Sequence, residues 1–237
     1  MLYGDNIMIT YFEGTIFNAP AKALVNTVNI KGVMGAGIAL EFSLRYPEMF
    51  KEYKKKCDNY ELSIGKMDYH FEDDTVIVNF PTKRHYRYDS RLEWIEEGLQ
   101  NFVATYKDYN ITSVAFPKLG CLNGKLKWED VQPLMEKYLK DIDALVYICT
   151  DSVSYAEGKE KEMVDLFNQA TEEDFEQKVK LKKDKIAVLM KRQPIKRFWE
   201  LSKITEISGA PYKKLFKYFY KQTGESDCVQ MTLFDGM

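Results

Sequence analysis

Histidine is scarce in this chain, with two among 237 residues, and the four cysteines (Cys57, Cys121, Cys149, Cys228) lie far apart with no C-x-x-C pair. That spacing indicates neither a zinc knuckle nor a disulfide framework, so the thiols are expected to be reduced and no metal site is expected. Long hydrophobic runs are missing too: none approaches the ~20 residues of a membrane span. The opening residues include Asp5 and Glu13 and carry no signal-peptide pattern, which predicts a cytoplasmic protein with no membrane partner. Neither G-x-G-x-x-G nor G-x-x-x-x-G-K-[ST] occurs, which leaves a Rossmann or kinase-like reading weak. The formal net charge of −2 gives no overall pull toward a polyanion.

What is present is an apolar content of 45%, enough for a packed core. Apolar segments at Met8–Phe12, Ala23–Val28, Thr75–Phe80, Ser113–Pro117 and Ala144–Thr150 read as strands. Between them Gly37–Lys56, Ser90–Tyr106 and Trp128–Lys140 repeat at about 3.6, with Pro47 expected to break or kink the first. The alternation predicts a three-layer α/β domain over residues 1–152. Near-continuous apolar strands such as Val76–Phe80 and Ala144–Cys149 suit central positions covered on both faces. Residues 153–237 are helical in pattern and basic, with a break at Gly209-Ala-Pro211 and an end expected to be flexible.

Ligands of such sheets bind where loops leave the strands' carboxyl ends, and three loops qualify. The first follows the apolar run Ala23–Val25 with two asparagines, Asn26 and Asn29, then Gly32, Gly35 and Gly37 opening a helical pattern. Glycines there let backbone N–H groups approach a phosphate, although glycine also makes turns that hold nothing. The second loop is Asn79-Phe-Pro-Thr-Lys83-Arg-His85-Tyr-Arg87. The third is Pro117-Lys-Leu-Gly120-Cys-Leu-Asn123-Gly124-Lys-Leu-Lys-Trp128.

Taken in order, V-N-T-V-N…G-V-M-G-x-G-I-A, N-F-P-T-K-R-H-[WY]-R and P-x-L-G-C…L-x-W resemble the macrodomain family over essentially residues 1–150. The subgroup is that of the DarG-type DNA ADP-ribosyl glycohydrolases, antitoxins of DNA-modifying toxins, and the terminal ADP-ribose glycohydrolases. The second loop matches the DarG side better. The resemblance implies an α/β/α macrodomain with a mixed central sheet, followed here by a small all-helical element. It implies binding of ADP-ribose, with no cofactor, and removal of ADP-ribose from thymidine in single-stranded DNA, reversing a DarT-like toxin that could also be a partner. Hydrolysis of ADP-ribose from proteins or small molecules is the second reading, and a non-catalytic ADP-ribose or nucleotide-signal module the third.

Carried over by position, the resemblance places Thr15 and Ile16 at the adenine end, where many macrodomains have an aspartate after glycine; Gly14-Thr15 departs from that. Asn29 would touch the distal ribose. Gly32, Val33, Met34, Gly35, Ala36, Gly37 and Ile38 would hold the diphosphate. Gly120, Cys121, Leu122, Asn123 and Gly124 would close its other side, with Thr82 beside the catalytic position, Lys83. Terminal ADP-ribose glycohydrolases have an aspartate at the position of Gly124, so water activation here has no assigned residue. Arg84, His85, Tyr86 and Arg87 are candidate contacts to DNA or the target base.

The chemistry of the residues is compatible. Breaking an N-glycosidic bond develops positive charge on the sugar and negative charge on the leaving base. Lys83 as an ammonium can hydrogen-bond the base; as a free amine it can attack the anomeric carbon, which requires a lowered pKa. The first role is favoured. His85 either contacts the base or caps its loop. His70 reads as structural or exposed, Asn26 as a loop-former, Cys121 as a small packed residue, and Trp128 as a helix start.

Between Lys178 and Lys221 fourteen Lys/Arg face three acids, an excess hidden in the net charge. Arg197–Lys217 reads as two short helices around Ser208–Pro211. The second, Tyr212–Gln222, carries Lys213, Lys214, Lys217 and Lys221 in a helix-turn-helix-like arrangement. That face suits nucleic acid, the solvated side of a small bundle, or a partner toxin. Gln230-Met-Thr-Leu-Phe234 resembles the peptide that docks bacterial proteins on the replication sliding clamp; an apolar end folded on the tail is the alternative.

Overall fold

A computed structural model describes residues 9–224. The described chain divides between Ser152 and Val153 into two compact units. The first is built on six strands: β1 (Ile9–Phe12), β2 (Ala23–Asn29), β3 (Asp68–Glu72), β4 (Thr75–Lys83), β5 (Ser113–Pro117) and β6 (Leu145–Cys149). They form one sheet in the order β1-β6-β5-β2-β4-β3, and every neighbouring pair is parallel except β3 with β4.

Strand alternation distributes side chains to both faces, and both are apolar. Ala23, Val25, Val76, Val78, Phe80, Val114 and Phe116 pack against α3 (Leu92–Thr105) and α4 (Trp128–Leu139). Leu24, Val28, Ile77 and Ala115 pack with α1 (Gly37–Arg45) and α2 (Pro47–Asp58). This is the mixed-sheet α/β/α sandwich implied by the sequence. The 37–56 pattern is indeed divided: Tyr46, at φ −126° and ψ 73°, lies outside the helical region as a residue before proline is disposed to, and Pro47 opens α2. Gly98 in α3 makes room for the buried Phe80 ring, because a Cβ there would lie 2.2 Å from Phe80 Cζ. Gly98→Ala is expected to destabilise the unit by about 1–3 kcal/mol, read as a lower urea midpoint at unchanged slope.

Three sequence expectations are corrected. Asn26 is a fully buried β2 residue rather than a loop-former: its Nδ2 donates to Asn79 Oδ1 at 2.9 Å. Asn79 Nδ2 donates in turn to Asp68 Oδ2 at 3.0 Å, and Lys56 Nζ meets Asp68 Oδ1 at 2.5 Å. The row crosses β2, β4 and β3. Second, β3 was not foreseen; its Asp-Tyr-His-Phe-Glu is polar because it is the sheet's edge, where His70 bonds Glu52 at 2.9 Å and Glu72 at 3.1 Å. Third, β4 runs on through Pro81 to Lys83. Past Asn79 it no longer pairs with β3, so the missing proline N–H breaks no ladder on that side.

The second unit contains α5 (Gly158–Gln169), a π-turn at Asp174–Lys178, α6 (Lys183–Arg192), a 3₁₀ stretch at Phe198–Lys203 and α7 (Ala210–Gln222). Phe167, Phe175, Phe198, Phe216 and Phe219 form its aromatic centre. Buried Arg197 pairs with Glu160 at 3.0 Å. The first of the two expected tail helices is therefore a 3₁₀ stretch, and Pro211 sits inside the first turn of α7, where its missing N–H costs nothing. Lys213, Lys214, Lys217 and Lys221 are exposed on α7. The Gln230–Phe234 motif lies outside the described residues. No helix among the described residues is long and apolar enough to cross a membrane.

Candidate active site

β2, β4 and β5 are parallel, so their carboxyl ends open on one side of the sheet, and the three glycine-bearing and basic loops leave there. The first loop is braced from within. Asn29 Nδ2 donates to Val33 O at 2.6 Å, and Asn29 Oδ1 accepts from Lys31 N at 2.9 Å. Tyr53 Oη, on α2, donates to the Asn29 carbonyl. Burial pushes that phenol above its ordinary range, keeping it a neutral donor. Gly32 has φ +71°, a left-handed turn that favours glycine. Met34 is buried in the core, so this stretch can offer a ligand only its backbone at that residue.

The loop delivers Gly37 to the start of α1, where no side chain caps the helix. The first N–H groups of a helix lack intrahelical partners, and with the helix dipole they favour an anion. Gly37 has φ +57°, and a Cβ on it would lie 2.6 Å from Asn123 Nδ2. The first and third loops are therefore in close contact. Ile38 packs in the same cluster as Ile16, which follows Thr15 and opens a short 3₁₀ turn, Ile16–Asn18, beyond β1.

The third loop is a tight ring. Gly120 O accepts from Leu126 N at 3.0 Å and Gly124 O from Ser90 N at 2.9 Å. A Cβ on Gly124 would fall 2.2 Å from Gly120 O and 2.4 Å from Ser90 Oγ. Cys121 points inward, its Sγ 3.5 Å from Leu119 O, and burial pushes the thiol up to about 11; it is a packed residue with little thiolate at neutral pH. Leu122 stands 88% exposed.

Lys83 joins the three loops. Its backbone is in register with Asn29, its carbonyl accepts from Ile30 N at 3.1 Å, and its ammonium donates to the Asn123 carbonyl. Partial burial holds its pKa below the ordinary lysine value; Asp89 opposes that shift and Lys125 adds to it. Asp89 and Lys125 form an ion pair at 3.0 Å. Thr82 is buried, with Oγ1 3.4 Å from Val28 O.

Beyond Lys83 the chain turns outward. Arg84 lies over Trp94 at 5.4 Å, and His85 Nδ1 accepts from Arg87 N at 3.2 Å, the loop-capping role. Tyr86 and Tyr88 are exposed. Lys213, Lys214 and Lys217 belong to the second unit, described by itself above. Sequence reasoning missed Asp89, Ser90 and Lys125; folding is what brings Ser90 to Gly124 and Lys125 to Asp89 and Lys83, and the sole signal was their position within or beside matched loops.

The Macro domain family model matches residues 25–135. The solved macrodomain of Mycobacterium tuberculosis DarG is 47% identical, with 96% of that chain and 59% of this one covered at a TM-score of 0.54. This chain belongs to the macrodomain family. The macrodomain is also similar to Thermosipho africanus DarTG solved in complex with ADP-ribose, at 34% identity and TM-score 0.57, covering 60% of this chain and 41% of that one. Among curated proteins, the DNA ADP-ribosyl glycohydrolase of Mycobacterium tuberculosis (strain ATCC 25618 / H37Rv) is 47% identical over 163 residues, 65% of this chain. This chain spans 46% of that relative's length. The likeness to these proteins lies in the macrodomain, whose glycine loops and Lys83 occupy one end of the sheet.

Proposed function

We propose that this macrodomain is a DNA ADP-ribosyl glycohydrolase that removes ADP-ribose from thymidine in single-stranded DNA. The observation that carries the reading is Lys83, whose ammonium sits where the loop at the α1 amino end and the 120–124 ring meet. The names of the relatives support DNA as the carrier of the ADP-ribose. In this reading the uncapped α1 start and the 120–124 ring hold the diphosphate, and the Thr15–Ile16 turn takes the adenine end. Asn29 acts chiefly by holding the first loop in shape beside the distal ribose.

The reaction breaks the bond between the anomeric carbon and the base nitrogen. The bonding pair leaves with the base, which takes its proton from the Lys83 ammonium; water supplies hydroxide to the sugar, and its remaining proton restores the ammonium. Lys83 has exchanged its Asn123 partner for the base and donates to it as negative charge develops, a contribution of general-acid type worth about 10²–10⁴-fold. The biological setting in this reading is a cytoplasmic antitoxin opposing a DarT-like transferase; DarTG supports that pairing by name.

Release of ADP-ribose from thymidine-modified single-stranded DNA, with an ADP-ribosylated protein supplied beside it, tests the substrate. Turnover of the protein alone would assign the protein-directed activity instead, and tight ADP-ribose binding with no product from either would assign a binding module. The pH profile tests the lysine's role. An acid must be protonated, so kcat/KM falls as pH rises through the lowered pKa of Lys83. Asp89→Asn removes the charge that supports the ammonium, and its alkaline limb is expected at lower pH. Lys125→Met removes an opposing charge, and its limb is expected at higher pH. Activity that instead rises through that range would make the free amine the nucleophile.

A further inference from the structure

Three rings crowd into the four residues His85–Tyr88, one position beyond Lys83, and two of them face water. Tyr86 is 42% exposed and Tyr88 65%. The His85 and Tyr86 rings stack at 4.3 Å with 26° between planes, and Tyr88 lies 5.0 Å from His85. Arg87 covers Tyr86 at 5.4 Å. The turn is fixed by its own backbone, Tyr88 N donating to His85 O at 3.1 Å, so the rings are held in place before any ligand arrives. None of this serves the core, and a loop gains little by holding apolar rings in water.

The charge around the rings is mostly positive. Residues 83–91 carry Lys83, Arg84, Arg87 and Arg91 against Asp89 alone, and the 117–128 loop carries Lys118, Lys125 and Lys127 with no acid. This local excess stands in a chain whose net charge is −2. A pre-ordered ring ladder in a cationic rim fits an unpaired polynucleotide, whose bases present flat faces and whose backbone presents phosphates. A protein partner would use the rings but leave four guanidinium and ammonium groups without matched acids.

We propose that the His85–Tyr88 ladder is a stacking platform for the unpaired nucleotides flanking the modified base. The inference rests on the DNA reading above and deepens it: the macrodomain would grip the strand as well as the adduct. Base–aromatic stacking is sequence-tolerant, so the platform selects single strands over duplex rather than one sequence over another.

The test uses the full chain and Tyr88→Ser, with Tyr88→Phe as the ring-retaining control. Kinetics are measured on a thymidine-ADP-ribosylated oligonucleotide and on the ADP-ribosylated thymidine nucleoside. Binding of an unmodified single-stranded oligonucleotide is followed by anisotropy. Tyr88→Ser is expected to raise KM on the oligonucleotide and weaken strand binding by about fivefold or more, the loss of one stacked base. Tyr88→Phe is expected to stay near wild type, and the nucleoside's kcat/KM to be unchanged in both variants. Equal losses on oligonucleotide and nucleoside, or no loss on either with unchanged strand binding, would overturn the platform. A wild type that cleaves neither substrate yet loses strand binding in Tyr88→Ser would overturn the DNA glycohydrolase reading and leave the platform standing.

Discussion

Lys83→Ala should bind ADP-ribose and fail to release it from DNA. The expected loss in kcat on thymidine-ADP-ribosylated single-stranded DNA is about 10²–10⁴-fold, the range of a positioned proton donor. Binding should survive because the glycine loops are held by other contacts: Asn29 braces the first, and the Gly120–Leu126 and Ser90–Gly124 bonds close the third. Calorimetry on the variant should therefore give an ADP-ribose Kd within about tenfold of wild type, while single-turnover release collapses. Lys83→Arg should not restore turnover, since a guanidinium is a broader, far weaker acid. Near-wild-type release from Lys83→Ala would remove the lysine from the chemistry.

The second large effect is expected at Gly124, where binding and turnover should fall together. A methyl there meets Gly120 O at 2.2 Å and Ser90 Oγ at 2.4 Å, and neither backbone nor a buried serine can yield cheaply. The ring must open, carrying with it Asn123, which touches both Lys83 and the Gly37 turn. Overpacking of this kind costs about 1–3 kcal/mol, so Gly124→Ala should weaken ADP-ribose binding by about 5–150-fold and lower kcat/KM at least as much. Calorimetry and the oligonucleotide assay check both. With Ser90 Oγ and Gly120 O this close no side chain fits at position 124, and Gly124→Asp should resemble the alanine variant rather than gain a base. A Gly124→Ala protein with unaltered affinity would show that the ring relaxes freely.

Much of this could be read before folding was considered. Strands with apolar residues on both faces announce themselves as continuous runs, and the three motif loops were legible because glycine, asparagine and lysine occur there in fixed order. β3 escaped because an edge strand needs only one apolar face, and Asp68, His70 and Glu72 look like a loop. Asn26 was misplaced because a buried amide in a central strand has the same letter as a turn amide; only Asn79 and Asp68 across the sheet tell them apart. Ser90 and Lys125 could not be weighed, since their partners Gly124, Asp89 and Lys83 lie more than thirty positions away in sequence, and Asp89, six residues from Lys83, reads in sequence as one more loop charge.

The buried row of Asn26, Asn79 and Asp68 has a consequence at the other end of the strands. A sheet of apolar strands is tolerant of sliding, and a one-residue slip of β4 along β2 would exchange its faces. Here such a slip would strand amides and a carboxylate among Met49 and its apolar neighbours, at about 1–3 kcal/mol for each group left unsatisfied. The row therefore acts as an alignment pin. With Asn26 fixed opposite Asn79, counting along the strands brings Asn29 opposite Lys83 after the single irregularity at Val28. Amides that no ligand touches thus set, three to four residues upstream, where the ammonium stands.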